Sequence, residues 1–211
     1  MEKIDNLEYE RKYQDLGEVF IGGVDEVGRG PLAGPVVCCA IVMPLSSDEI
    51  IEGVTDSKKL TEKKRKELSK IIQERAISCS IYSVEPEEID KINILEAVRL
   101  CMSRAVLGLN GIAKTVLVDG VNTKLHEIYE GDGVNFEYIV KGDAKSYTIG
   151  CASIVAKVYR DTLMEEYAKT YTEYSFEKHK GYGTKVHIDK IKEIGPCEIH
   201  RRTFIKNFWG K

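Results

Sequence analysis

Apolar residues recur along the chain in two rhythms. Residues 19–24, 36–43 and 77–84 are short runs rich in β-branched side chains, bounded by turn-forming segments, and predict strands. Residues 115–118 and 136–140 predict two more, ending at Asp119-Gly120 and Gly142-Asp143. Between these runs the spacing changes to three and four. Residues 61–74 place Leu68, Ile71 and Ile72 on one face of a charged helix. Pro86, with Glu87 and Glu88 behind it, opens a helix whose apolar face continues through Ile92, Leu95, Val98, Met102 and Val106. One long helix is predicted there. Two more follow, over about 149–170 and from a cap at Thr184 to residue 191. The charged stretch to about Leu16 predicts a surface helix, with Tyr9 and Tyr13 packing on the body. A group of strands, then strands alternating with helices, predicts an α/β fold on a mixed sheet flanked by helices.

Composition narrows the class. The 211 residues contain no repeat, low-complexity tract or linker, so one domain is expected over 1–211. Residues 1–16 form an N-terminal extension of it, and about 162–211 a helical C-terminal part. The 43% hydrophobic and 31% charged shares are those of a globular protein. No run approaches the roughly 20 apolar residues of a membrane span, and the charged N-terminus lacks the apolar core of an export signal. The six cysteines show no C-x-x-C pair or zinc-finger spacing, and a reduced, cytoplasmic monomer is expected. Adjacent Cys38 and Cys39 read as small buried hydrophobes. The net charge of −3 excludes a globally basic nucleic-acid binder. It leaves room for local patches, and basic residues do cluster at 58–66, 178–185 and 201–211.

The candidate chemistry is carboxylate. Asp25 and Glu26 close one apolar strand, Asp119 ends another, and Asp143 follows a third. Each alone has a plain alternative, a strand reaching solvent or an Asp-Gly turn; the coincidence of all three points to a site. Clustered carboxylates suit hard divalent ions such as Mg²⁺ or Mn²⁺. Two such ions about 4 Å apart can activate a water and stabilise a departing phosphodiester oxygen. No histidine stands at ligand spacing, which disfavours zinc. Gly28 and Gly30 let backbone approach a ligand, and Arg29 between them offers a fork for phosphate. Asp161 follows Lys157 by one helical turn, where a structural ion pair is expected. His187 and His200 suit either a structural hydrogen bond or chemistry.

The run GVDEVGRGPLAGPVV at 23–37 resembles the signature of ribonuclease HII, the type 2 ribonucleases H. Matches continue in order: Asp56-Ser57-Lys58, VLVDG, KGDAKS, ASIVAKVYRD, HKGYGTKVH and His200-Arg201. The resemblance implies a ribonuclease H-like fold and a catalytic and metal-binding set of Asp25, Glu26, Asp119 and Asp143. Asp161 competes with Asp143 only for the last place in that four-acid set. It implies hydrolysis of the RNA strand of RNA–DNA hybrids and cleavage 5′ of single ribonucleotides embedded in duplex DNA. Two-metal catalysis with Mn²⁺ or Mg²⁺ would leave 3′-hydroxyl and 5′-phosphate ends. Backbone groups of Gly28, Arg29 and Gly30 would contact the ribose 2′-hydroxyl, and Tyr182 would pack on a sugar at the RNA-to-DNA junction. Lys58, Lys180 and Lys185 are the candidate phosphate contacts. Gly-Arg-Gly in place of Gly-Thr-Gly, and a short leader before the motif, favour type HII over HIII. The alternatives are a resolvase or exonuclease on the same fold, and a catalytically silent hybrid-binding protein.

Overall fold

The computed structural model describes residues 6–209; the expectations for residues 1–5, 210 and 211 fall outside it. In chain order the elements are α1 (Glu8–Asp15), β1 (Ile21–Val27), β2 (Val36–Val42), α2 (Glu62–Arg75) and β3 (Ser78–Val84). Next come α3 (Pro86–Ile92), α4 (Ile94–Leu107), β4 (Thr115–Asp119), β5 (Asn135–Ile139), α5 (Gly142–Lys145) and α6 (Tyr147–Thr170). Three short helices close the chain: α7 (Phe176–His179), α8 (Lys185–Ile194) and α9 (Arg202–Ile205). The strands form one mixed sheet in the order β3-β2-β1-β4-β5. β1, β2 and β3 pair antiparallel, while β1–β4 and β4–β5 run parallel.

Alternation along the strands divides the core between two faces. Val24, Val36, Cys38, Ala40, Val42, Val116 and Val118 meet α4 on one side. Cys39, Ile41 and Met43 meet α2 and α6 on the other, and Ile21 and Leu117 join Ile149 of α6 on the same side. Adjacent Cys38 and Cys39 are both buried, one facing each layer. α6 crosses β1 very closely: a Cβ on Gly23 would lie 2.6 Å from the Thr148 carbonyl carbon. Glycine is required at that contact. A third cluster, around Met164, Tyr174, Phe176, Ile191 and Ile205, fills the helical C-terminal part. Phe204 and Phe208 pack inward, while Trp209 is more exposed.

Two expectations change. The long helix predicted through residues 86–106 is broken at Asn93, whose φ of 68° lies in the left-handed region. Asn93 Oδ1 accepts from the N–H groups of Leu95 and Glu96, which starts α4 afresh along the sheet. The apolar period runs unbroken across this break because both helices pack on the same layer. Leu95, read as part of the buried face, is 45% exposed in the first turn of α4. Helices also continue past residue 191: α8 reaches Ile194, and α9 follows.

The N-terminal helix does more than cover the surface. Glu10 is fully buried, and its Oε1 accepts from Ser146 Oγ at 2.6 Å and Thr148 N–H at 2.9 Å. The Asn6 carbonyl accepts from Tyr147 N–H at 2.6 Å. Glu10 of α1 and Asn6 just before it thus satisfy two of the free N–H groups that open the 24-residue α6, and Ser146 Oγ accepts from a third, that of Ile149.

The Asn93 turn yields a stability prediction. Asn93→Ala loses the cap and puts at positive φ a residue that tolerates it less well than asparagine does, costing about 1–2 kcal/mol; Asn93→Gly costs only a few tenths. Urea unfolding of the two variants measures the difference. Equal losses would mean that the left-handed backbone at residue 93 adds nothing to the cost, since both variants lack the capping oxygen.

Candidate active site

Ladder register builds the centre. Val24 pairs with Val118, so the next residues, Asp25 and Asp119, lie beside each other on the α6 face of adjacent parallel strands. β1 runs through both acids of the Asp25-Glu26 pair, to Val27, so they are strand residues. Glu26 alternates to the other face, but its longer side chain returns at the strand end. Carboxylate oxygens of Asp25, Glu26 and Asp119 come within 4.8 Å of one another. Asp119 Oδ1 accepts from Gly142 N–H at 2.6 Å and Asp143 N–H at 3.4 Å. That bond ties the start of α5 to the end of β4 and brings Asp143 near enough to Asp119 and Asp25 for their charges to interact, though outside the three-acid cluster and the cleft lining.

A cleft of about 230 Å³ lies over this cluster, lined by Asp25, Glu26, Val27, Ser57, Lys58, Asp119, Ser153, Lys157 and Tyr182. Burial pushes Asp25 well above the usual carboxylate range, with Glu26, Asp119 and Asp143 adding to the rise and the Ser153 hydroxyl opposing it. Burial and Asp119 also push Glu26 to about 7, against the pull of Arg29 and Lys58. Asp143 is raised by burial and by Asp119. Lys58 loses basicity to burial, but Asp143, Asp25, Asp56 and Asp119 more than restore it and leave it raised. The donor set is all oxygen, crowded and mutually repulsive, which fits a hard divalent cation and not a soft one.

The other expected residues separate. Tyr182 is 43% exposed and reaches the cleft wall. Gly30 is its neighbour: a Cβ there would lie 3.9 Å from Tyr182 Cε1. Lys180 turns away from the cluster; its Nζ pairs with Glu165 at 2.8 Å and donates to the Glu177 carbonyl at 2.6 Å. Lys185 is 89% exposed and pairs with Asp189 at 2.5 Å. Asp161 takes its structural alternative, bonded to Lys157 at 2.6 Å and 3.6 Å from Arg65. His187 and His200 are buried and share an Nε2···Nε2 contact of 2.9 Å. The carbonyl of Tyr182 can only accept, so His187 Nδ1 donates to it, and His200 Nε2 then donates to His187. His200 Nδ1 is left to accept from Cys197 N–H at 3.0 Å. This chain positions the Tyr182 loop.

Reading the sequence missed Ser57, Ser153 and Lys157 on the cleft wall. Ser57 and Ser153 share a hydroxyl contact of 3.0 Å, and Ser153 and Lys157 stand one helical turn apart on α6. Their spacing within ASIVAKVYRD was the available signal. Arg160 and Arg201 were missed as well. Both are fully buried and bonded to backbone carbonyls. Burial lowers them to about 10 and about 9, which leaves both protonated at neutral pH.

A mixed five-stranded sheet that gathers acids at the ends of neighbouring parallel strands, beneath one long crossing helix, defines a nuclease of the ribonuclease H class. The ribonuclease HII family model matches residues 22–209. Ribonuclease HII of Clostridium acetobutylicum is 49% identical over 197 residues, covering 92% of this chain and 75% of that protein. That of Endomicrobium trichonymphae is 51% identical, covering 93% and 90%. The crystal structure of ribonuclease H2 from Pyrococcus horikoshii superposes with a TM-score of 0.75 at 28% identity, over 87% and 93% of the two chains. The chain belongs to the ribonuclease HII family and is a ribonuclease H-type endonuclease. No helix among the described residues is long and apolar enough to cross a membrane.

The raised carboxyls set a pH dependence. A carboxyl that titrates higher when folded binds its proton more tightly in the native state. Its contribution is complete below the unfolded value and is lost as pH rises, through about 7 for Glu26. His187 and His200, lowered to about 4 and about 3 by burial, act oppositely below their usual range. The difference between variant and wild type isolates the acids. Without divalent ions, Asp25→Asn melts above wild type at about pH 8, and the gap narrows at about pH 5. A gap independent of pH, in calorimetry with chelator present, removes charge repulsion as its cause.

Proposed function

We propose that this endonuclease hydrolyses the RNA strand of RNA–DNA hybrids and cuts 5′ of single ribonucleotides embedded in duplex DNA, leaving 3′-hydroxyl and 5′-phosphate ends. The observation that carries this reading is the sharing of one cleft by two unlike groups. The first is the acid cluster of Asp25, Glu26 and Asp119, with Asp143 beside it. The second is the Tyr182 ring on the cleft wall, with Gly30 of the Gly28-Arg29-Gly30 loop standing next to it. An acid cluster alone would serve cleavage of any phosphodiester it could reach. Selectivity must come from groups that sense the sugar, and the 2′-hydroxyl is what distinguishes RNA from DNA at one nucleotide.

In this reading Asp25, Glu26, Asp119 and Asp143 hold two divalent ions, Mg²⁺ or Mn²⁺. When bound, these supply the positive charge that favours ionisation of the attacking water and stabilises the departing 3′-oxygen. The chain's own residues do the rest. The ladder keeps Asp25 and Asp119 at a set separation, and the Gly142 N–H holds one Asp119 oxygen in place. Lys58, above the acids, is the candidate contact for the substrate phosphate on the scissile side. Arg29 is exposed at the loop tip and offers a planar fork for a second phosphate. Tyr182 presents a ring face to the sugar. Removal of misplaced ribonucleotides during DNA replication and repair is the role that such a substrate range serves.

The deciding assay uses duplex DNA containing one ribonucleotide, with an all-DNA control and either ion. Cleavage 5′ of the ribonucleotide, and none of the control, is expected. Cutting of both duplexes alike would make the chain a nuclease blind to the sugar. Asp25→Asn and Asp119→Asn should each reduce turnover to background while the protein stays folded. Near-normal turnover by either variant at matched Mg²⁺ takes that residue out of the centre.

Tyr182 gives a graded expectation. Tyr182→Ala removes the surface that meets the sugar, whereas Tyr182→Phe keeps it and loses at most one hydrogen bond, roughly 0.5–1.5 kcal/mol. Alanine should therefore be much the worse, most of all on the single-ribonucleotide duplex. Calorimetric metal binding should be the same in both variants. Wild-type rates for Tyr182→Ala would end the junction-sensing role.

A further inference from the structure

The loop between β1 and β2 makes few regular backbone bonds, yet two guanidiniums hold its carbonyls: Arg160 takes those of Ala33 and Pro35, and Arg201 those beside the glycines. Arg201 is wholly buried, and its partners are backbone oxygens. Nη2 donates to Gly28 O at 2.6 Å and Gly34 O at 2.8 Å, Nη1 to Arg29 O at 3.0 Å, and Nε to Gly34 O at 3.0 Å. Backbone pairing places Arg201 under the loop: its N–H donates to Leu32 O, and Gly34 N–H donates to Ile199 O. The Phe204 ring, 5.1 Å from the guanidinium carbon, supports it from the other side.

The consequence lies on the opposite edge of each peptide. In a trans peptide the C=O and N–H point opposite ways. The Gly28 carbonyl shares its plane with Arg29 N–H, and the Arg29 carbonyl with Gly30 N–H. Turning both carbonyls onto buried Arg201 aims both N–H groups outward, from two exposed residues beside Tyr182. Among the described residues, neither N–H has a protein acceptor. The backbone at Gly28 has φ +91°, and a Cβ there would strike the Arg160 side chain, so only glycine lets the loop lie this close to its supports.

We propose that Arg201 is a positioning residue for sugar recognition, holding the Arg29 and Gly30 N–H groups as a preformed pair of donors for the 2′-oxygen of a ribonucleotide. This rests on the sugar-sensing reading of the loop given above and adds the group that sets its geometry. Peptides flanked by glycine flip readily, and a flipped peptide would present a carbonyl to the 2′-oxygen. A planar fork with several donors can hold three carbonyls on a curved loop at once; a lysine ammonium, a point charge on a flexible stem, cannot. Donors fixed beforehand need no rearrangement when the substrate arrives.

The test compares wild type with Arg201→Lys, which keeps the charge and loses the fork. Anisotropy titrations in Ca²⁺ measure the Kd for a duplex with one embedded ribonucleotide and for the all-DNA duplex. Wild type should favour the ribonucleotide by roughly tenfold, the worth of about one or two hydrogen bonds. In Arg201→Lys the ratio of the two constants should fall to within about twofold. A general loss of stability would weaken both complexes and leave their ratio intact, so a preserved ratio in the folded variant overturns the role of Arg201. A wild type with no preference overturns the sugar-sensing reading and this inference with it. Should Arg201→Lys not fold, amide NMR of the wild-type protein decides. The Arg29 and Gly30 N–H resonances should shift with the ribonucleotide duplex and not with all-DNA. Equal shifts with both, or none with either, overturn the proposal.

Discussion

The parallel pairing of β1 with β4 is the constraint from which the rest of the site follows. It sets Asp25 beside Asp119, on the same face and one ladder spacing apart, where two carboxylates would not settle of their own accord. Their repulsion is carried by the ladder's hydrogen bonds and by the apolar residues that precede them, Ile21 and Val24 in β1 and Val116 to Val118 in β4, all buried. The raised titration of Asp25 and Glu26 is the electrostatic mark of that confinement. A centre built in this way would be stabilised by a bound cation and carries uncompensated repulsion without one, so stability and site chemistry pull against each other at the same atoms.

α6 converts this strand-end arrangement into a cleft. It crosses β1 at Gly23 closely enough to bring Ser153 and Lys157 onto the wall, and its first turn is satisfied by Glu10 and Asn6 of the N-terminal segment. Further along the same helix, Arg160 donates to the carbonyls of Ala33, Pro35 and Lys180. One helix therefore touches the acids, the glycine loop and the Tyr182 loop. Relative placement of these three parts is a property of a single rigid element.

The loops themselves are ordered by unusual means. Two buried arginines with no carboxylate partner among the described residues, and two neutral histidines in a donor–acceptor chain, take the place that regular strand pairing would fill. Burying a guanidinium is costly unless its donors are met, and here backbone carbonyls meet them. The same bonds satisfy oxygens that an irregular buried loop would otherwise leave without donors. That mutual need explains how glycine-rich segments can be stiff enough to act as recognition surfaces.

Much of this was legible in the residues. Strand and helix periods located the five strands and most helices within a few positions, because apolar alternation reports directly on burial. The acids stood out because each ended an apolar run, where a charge needs a reason. Asn93 escaped notice because the apolar period crosses the break: both helices face the same layer, so hydrophobicity carries no record of the turn. The pairing of Lys180 with Glu165, the burial of Glu10 and the fork of Arg201 were beyond reach for a different reason. Each joins residues distant in sequence, and nothing in a lysine, glutamate or arginine says whether its partner is solvent, a carboxylate or a carbonyl. The sequence by itself determined most of the elements, the sheet class and the three acids that stand together, Asp25, Glu26 and Asp119, as candidates, since those depend on local pattern and residue chemistry. Only the tertiary structure decided which acids stand together, which cations are already paired, and which loop carbonyls a buried guanidinium holds, because these depend on strand register and on contacts between distant segments.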